Sequence, residues 1–136
     1  MFTYKLPLYA MRQMIFYKTY FRDFYNGLNE RARSKIDHVL FILESQPIVP
    51  QKFVKHISGS SGIFEARASV GSNEYRILFF FENGSLIEGG RIVVVGNGFL
   101  KKDDRDYKRA VELAERIKLE YFAELTQLDP DNPAQL

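Results

Sequence analysis

The chain has 136 residues, 46% of them hydrophobic and 15% aromatic, enough for one domain with its own core and too few for two. With no cysteine it excludes a disulfide framework or a zinc–thiolate centre, and a reducing cytoplasm is the expected location. A formal net charge of +2 permits nucleic-acid binding without demanding it, so the position of each charge has to decide.

Residues 1–13 mix Phe2, Tyr4, Leu6, Leu8 and Tyr9 with Lys5, Pro7 and Arg12. They lack the continuous apolar run of a signal or membrane span, so they read as an extension ahead of a domain over residues 14–125, and no membrane partner is expected. Met14-Ile15-Phe16-Tyr17 reads as a first strand. Phe21, Phe24 and Leu28 stand at helical spacing, and Asn29 is placed to cap the next helix. That helix, over residues 30–45, puts Ala32, Ile36, Val39, Leu40 and Leu43 on one stripe. Its opposite side carries Arg31, Arg33, Lys35 and Asp37, for which a solvated face is the simpler reading, and Pro47 ends it.

Residues 48–62 read as a loop with a local positive cluster, Lys52, Lys55 and His56. Its Ser58-Gly59-Ser60-Ser61-Gly62 run has amides able to cradle a phosphate, although a plain connector explains it as well. With His38 on a helix and His56 in this loop, no pair stands at metal-ligand spacing, and no metal or other cofactor is expected. From Ile63 to Val70 the residues alternate, with Phe64, Ala66, Ala68 and Val70 on a buried face and Glu65, Arg67 and Ser69 on a wet one. Gly71-Ser72-Asn73 turns the chain into Tyr75-Arg76-Ile77-Leu78-Phe79-Phe80-Phe81, which is apolar on both faces and must be covered from both sides. Arg76 is the exception, and a guanidinium there calls for Glu65, Glu74 or a bound anion as partner. Asn83-Gly84 and a longer loop, residues 85–90, lead to Arg91–Leu100, so three consecutive antiparallel strands are predicted. Asp103, Asp104 and Asp106 crowd the start of a last helix, where carboxylates suit the positive end of the dipole. Tyr107, Val111, Ala114, Ile117, Tyr121 and Leu125 form its apolar stripe, and residues 126–136 read as a disordered tail. The fold class that results is α+β, a small antiparallel sheet with two N-terminal helices and one C-terminal helix.

Four motifs in order carry a resemblance: Lys55-His56 followed by Ser-Ser-Gly-Ile-Phe-Glu65-Ala-Arg67, then Glu74-Tyr-Arg76-Ile-Leu-Phe, then Gly98-Phe99-Leu100-Lys101-Lys102, and a final helix ending at Tyr121. Over residues 14–125 the chain resembles the HigB-type, phage-derived branch of the RelE/ParE toxin superfamily. That resemblance implies a RelE-like fold and a type II toxin that cleaves mRNA on the ribosome. It also implies a helix-turn-helix antitoxin as partner, with operator DNA reached only through the antitoxin. With no metal site evident, scission has to use the substrate's own 2′-hydroxyl, which needs a base, a clamp for charge on phosphorus, and an acid. Arg67 and Arg76 suit the clamp, Lys101 or Lys102 the base or acid, and His56 is the alternative proton carrier. Lys52, Lys55, Arg105 and Tyr107 are the expected RNA-binding residues. Two alternatives stay open: a ParE-like binder that poisons gyrase without cutting nucleic acid, and an inactive remnant that only binds an antitoxin-like partner.

Overall fold

The computed structural model describes residues 11–84 and 90–127. The expected extension up to Ala10, most of the loop before Gly90 and the tail from residue 128 therefore lie outside the described residues. Strands β1 (Gln13–Phe16), β2 (Val54–His56), β3 (Phe64–Val70), β4 (Asn73–Phe81) and β5 (Ile92–Lys101) form one sheet in the order β1-β5-β4-β3-β2. Helices α1 (Tyr20–Asn26) and α2 (Glu30–Ser45) follow β1, and α3 (Asp104–Gln127) follows β5. The α+β class is as expected, and β3, β4 and β5 are consecutive and antiparallel. The sheet as a whole is mixed, because β1 pairs with β5 in parallel.

Both faces of β4 are covered, as its unbroken apolar run requires. On one side Ile77, Phe79 and Phe81 meet Ala32, Ile36, Val39 and Leu43 of α2, with Phe21 and Phe24 of α1 at the margin. On the other, Leu78 and Phe80 meet Ala114, Ile117 and Tyr121 of α3. Asn29 caps α2 by accepting from the amide of Ala32 at 2.9 Å. The far end of α2 is closed by Arg12, which sequence reading leaves in the extension. Its buried guanidinium donates to the carbonyls of Leu43 (2.7 Å), Gln46 (2.7 Å) and Pro47 (3.1 Å), satisfying groups a helix terminus leaves open.

Strand β5 contains a bulge that decides which residues reach the site. Phe79 pairs with Val95 and Ile77 with Gly98, so Gly96 and Asn97 together oppose Leu78. Before the bulge Val94 faces α3; after it Phe99 does, while Val95 and Gly98 both look toward α1. A Cβ on Gly98 would drive into the ring of Phe24, so glycine is what lets α1 lie this close. Asn97, buried within the bulge, donates to the carbonyl of Ala110 at 3.1 Å and ties α3 to the strand.

Candidate functional site

The pleat and the antiparallel register place Arg67 directly opposite Arg76, and Arg76 opposite Phe99, while Glu74 pairs with Lys101. Glu65 lies two residues before Arg67 on the same side of β3. All of these side chains stand on the α3 face at the end of the sheet where α3 begins, and Tyr107 comes down on them from its second turn.

Glu65 is the centre of the cluster. Expected on a wet face, it is 4% exposed instead, because α3 covers the side of β3 that alternation alone assigns to solvent. Its Oε1 accepts from the Tyr107 hydroxyl at 2.8 Å. Its Oε2 lies 2.8 Å from Nε of Arg76 and 3.8 Å from Nε of Arg67, close ion pairs rather than aligned hydrogen bonds. Arg76, 3% exposed, also approaches Glu74 at 3.4 Å and donates to the Tyr75 carbonyl at 3.0 Å. Both acids that the sequence offers as partners are thus used. This arrangement corrects the picture of two equal clamps: Arg76 is enclosed and neutralised. Arg67, whose side chain is 32% exposed, has only the longer contact to the shared carboxylate.

Lys101 is exposed and sits with Nζ 5.4 Å from the centre of the Tyr107 ring, which Phe99 meets edge-on. Burial, and then the bond to Glu65, push the Tyr107 hydroxyl up to about 12. Glu74 is held below the usual carboxylate range, first by a hydrogen bond from Ser69 and then by Arg76. Tyr17, packed edge-on against Tyr121 under α3, is likewise raised to about 12, chiefly by burial. These raised phenols make a stability prediction. Because the folded state keeps protons that the unfolded chain releases near pH 10, stability is fully present below that pH and declines as pH climbs to about 12. Urea midpoints measured across this range should fall, and Tyr107→Phe, weaker at neutral pH, should show a shallower fall; an equal slope in both would rule Tyr107 out as a contributor.

A family model described as "Phage derived protein Gp49-like (DUF891)" matches residues 23–118. The chain belongs to the Gp49-like family. This is a family of RelE/HigB-like toxins, and its match covers the end of α1, α2, β2, the hairpin β3–β4, β5 and most of α3. No curated protein and no solved structure matches the chain.

The remaining expected site residues of this Gp49-like protein are not gathered at the Glu65 cluster. Residues 54–56, read as loop, form the short edge strand β2, and its pairing decides their direction. His56 pairs with Phe64 and meets its ring edge-on at 5.1 Å, which places it on the α2 face, across the sheet from Arg67. Lys55 pairs with Glu65 on the α3 side, at the sheet margin. Lys52 lies over the Phe53 ring at 4.8 Å. Lys102 lines a groove beside the cluster with Phe99, Asp106 and Arg109. Arg105 is exposed on the first turn of α3. Asp103 has a structural task at that turn, accepting from the amide of Asp106 at 2.8 Å. The Ser58–Gly62 run is pinned to α3: the Ser61 amide donates to Glu115 at 3.0 Å and Lys118 donates to the Ser61 carbonyl, so this amide is already taken. Glu65 itself is the residue that sequence reasoning left out of the site, and the signal that could have found it is Arg76, a cation in an apolar strand that needs a buried acid. Among the described residues no cluster of His, Asp and Glu could hold a metal ion, and no helix is long and apolar enough to cross a membrane.

Proposed function

We propose that this Gp49-like protein is the toxin of a type II toxin–antitoxin pair and acts as a metal-independent endoribonuclease on mRNA, working on the ribosome. The observation that carries the reading is the convergence of Arg67 and Tyr107 on one buried carboxylate, Glu65, with Lys101 beside the Tyr107 ring. Cations held around a water-poor centre suit a phosphorane-like transition state, whose charge grows on the non-bridging oxygens.

In this reading the outward edge of the Arg67 guanidinium grips the scissile phosphate. Arg76 holds the Glu65 carboxylate in place without touching substrate. The ribose 2′-oxygen attacks phosphorus as its proton passes to the Tyr107 hydroxyl, and the tyrosine proton passes to Oε1 of Glu65. The bond from phosphorus to the 5′-oxygen breaks, and Lys101 supplies that oxygen with a proton. The products are a 2′,3′-cyclic phosphate and a free 5′-hydroxyl. Lys55 and Arg105 flank the cluster as backbone contacts, and the phenol of Tyr107, kept protonated well above neutral pH, gives up its proton only as it takes the ribose one.

The partner is a helix-turn-helix antitoxin, with operator DNA bound only through it. The test is to incubate the purified chain with mRNA, with and without programmed ribosomes, and map the ends. Fragments carrying a cyclic phosphate and a 5′-hydroxyl are expected. Growth arrest with transcripts intact and gyrase blocked would instead support the ParE-like binder, and expression without growth arrest the remnant.

A further inference from the structure

A second positively charged region lies around the sheet margin from the Glu65 cluster. A cleft of about 570 Å³ opens between α2 and the end of the β3–β4 hairpin, lined by Arg31, Ser34, Lys35, His38 and the backbone around Gly71. Arg31, Lys35 and His38 are four and three residues apart, so they stand on one exposed stripe of α2. Among the described residues neither Arg31 nor Lys35 has a carboxylate within 4.0 Å, whereas Arg67 and Arg76 share theirs. Asp37, one of three acids on the same helix with Glu30 and Glu44, accepts instead from the Tyr25 hydroxyl at 2.8 Å.

The cleft is physically joined to the first cluster. His38 meets the Phe53 ring edge-on at 6.1 Å, and Lys52 covers the same ring at 4.8 Å. The Phe53 carbonyl accepts from the amide of Arg67 at 2.7 Å. Strand β2 pairs with residues 64–66 of β3, so among the described residues the β3 margin from Ala68 onward has no neighbouring strand to cover it. Arg31, Lys35, the His38 and Phe53 rings and Lys52 therefore make a band along the α2 side that reaches the sheet margin at the backbone of Arg67, whose side chain stands on the opposite face.

We propose that this band is a second phosphodiester-binding track, which holds single-stranded RNA backbone outside the scissile nucleotide. Unpaired cations alternating with ring surfaces suit a flexible sugar-phosphate chain, whose phosphates take the charges while its bases stack. The proposal rests on the nuclease reading only in taking RNA as the ligand.

The experiment measures binding of two fluorescein-labelled RNAs by the full chain over a range of salt. One is a short oligonucleotide that covers only the Arg67 cluster, and the other a longer one able to reach α2. For the longer RNA, Arg31→Ala/Lys35→Ala is expected to weaken binding and to flatten the slope of log affinity against log salt by roughly 1.4, about 0.7 for each cation removed. Binding and cleavage of the short RNA should stay as in the parent, and both side chains are exposed, so the melting temperature should hold. An unchanged slope for the longer RNA overturns the track, as does an equal loss for both lengths. Poly-glutamate binding that is lost in Arg31→Ala/Lys35→Ala while RNA binding stays unchanged overturns it too, in favour of an acidic protein segment. A higher KM for the longer RNA alone assigns the track to the strand being cut; a loss seen only with ribosomes assigns it to a second RNA. If the parent chain cleaves neither RNA while the slope change persists, the nuclease reading fails and the track stands.

Discussion

Arg67→Ala is expected to slow RNA cleavage about 100- to 1,000-fold, the usual cost of deleting one preorganised donor from a site that stabilises developing charge. The effect should appear in kcat, because the guanidinium is placed to meet charge that exists in the transition state and is weaker in the bound ground state. Stability should change little, since this side chain is 32% exposed and its 3.8 Å approach to Glu65 leaves that carboxylate with the closer partner, Arg76. Arg67→Lys should recover only part of the rate, as an ammonium keeps the charge and loses the two-oxygen grip. Single-turnover cleavage beside a thermal melt is the measurement. Full activity in the alanine variant would remove Arg67 from the chemistry and leave the clamp to another cation.

Glu65→Ala should act in the opposite domain, on the fold. The substitution strips the buried Arg76 guanidinium of its 2.8 Å counter-charge and leaves only Glu74 at 3.4 Å. Leaving one partner of a buried ion pair alone costs about 3–5 kcal/mol, a large part of the roughly 5–15 kcal/mol that stabilises a small domain. Replacing both partners, as in Glu65→Leu/Arg76→Met, should cost much less than the single change, because no charge is then left in the interior. Urea unfolding of the two variants gives the comparison. If the single variant is as stable as the double, the carboxylate is not what holds Arg76.

Much of this architecture could be read from residue pattern, and the failures have specific causes. The unbroken apolar run of β4 demanded cover on both faces, and the periodicities of α2 and α3 supplied it. The turn at Gly71 was enough to set Arg67 beside Arg76. What pattern could not reveal was any pairing between distant segments. The parallel join of β1 to β5 has no local signature, and β2 is only three residues long, with too little alternation to declare itself. His56 was grouped with Lys55 by adjacency, yet once the two lie on a strand, adjacency is what sends them to opposite faces. Glu65 looked solvated for a related reason: alternation says that two faces differ, and only α3 says that both are covered. Arg12 illustrates the same limit, since its ligands are carbonyls more than thirty residues downstream.

The extra residue in β5 has a consequence for how this chain can vary. Upstream of it, even-numbered positions supply the layer under α3; downstream, odd-numbered ones do, and Phe99 and Lys101 belong to that second set. Core and chemistry therefore share one strand under two different counting rules. Losing a single codon between Val95 and Gly98 would leave the interior near Val94 intact and turn the lysine away from its tyrosine, a change in activity made without touching either residue.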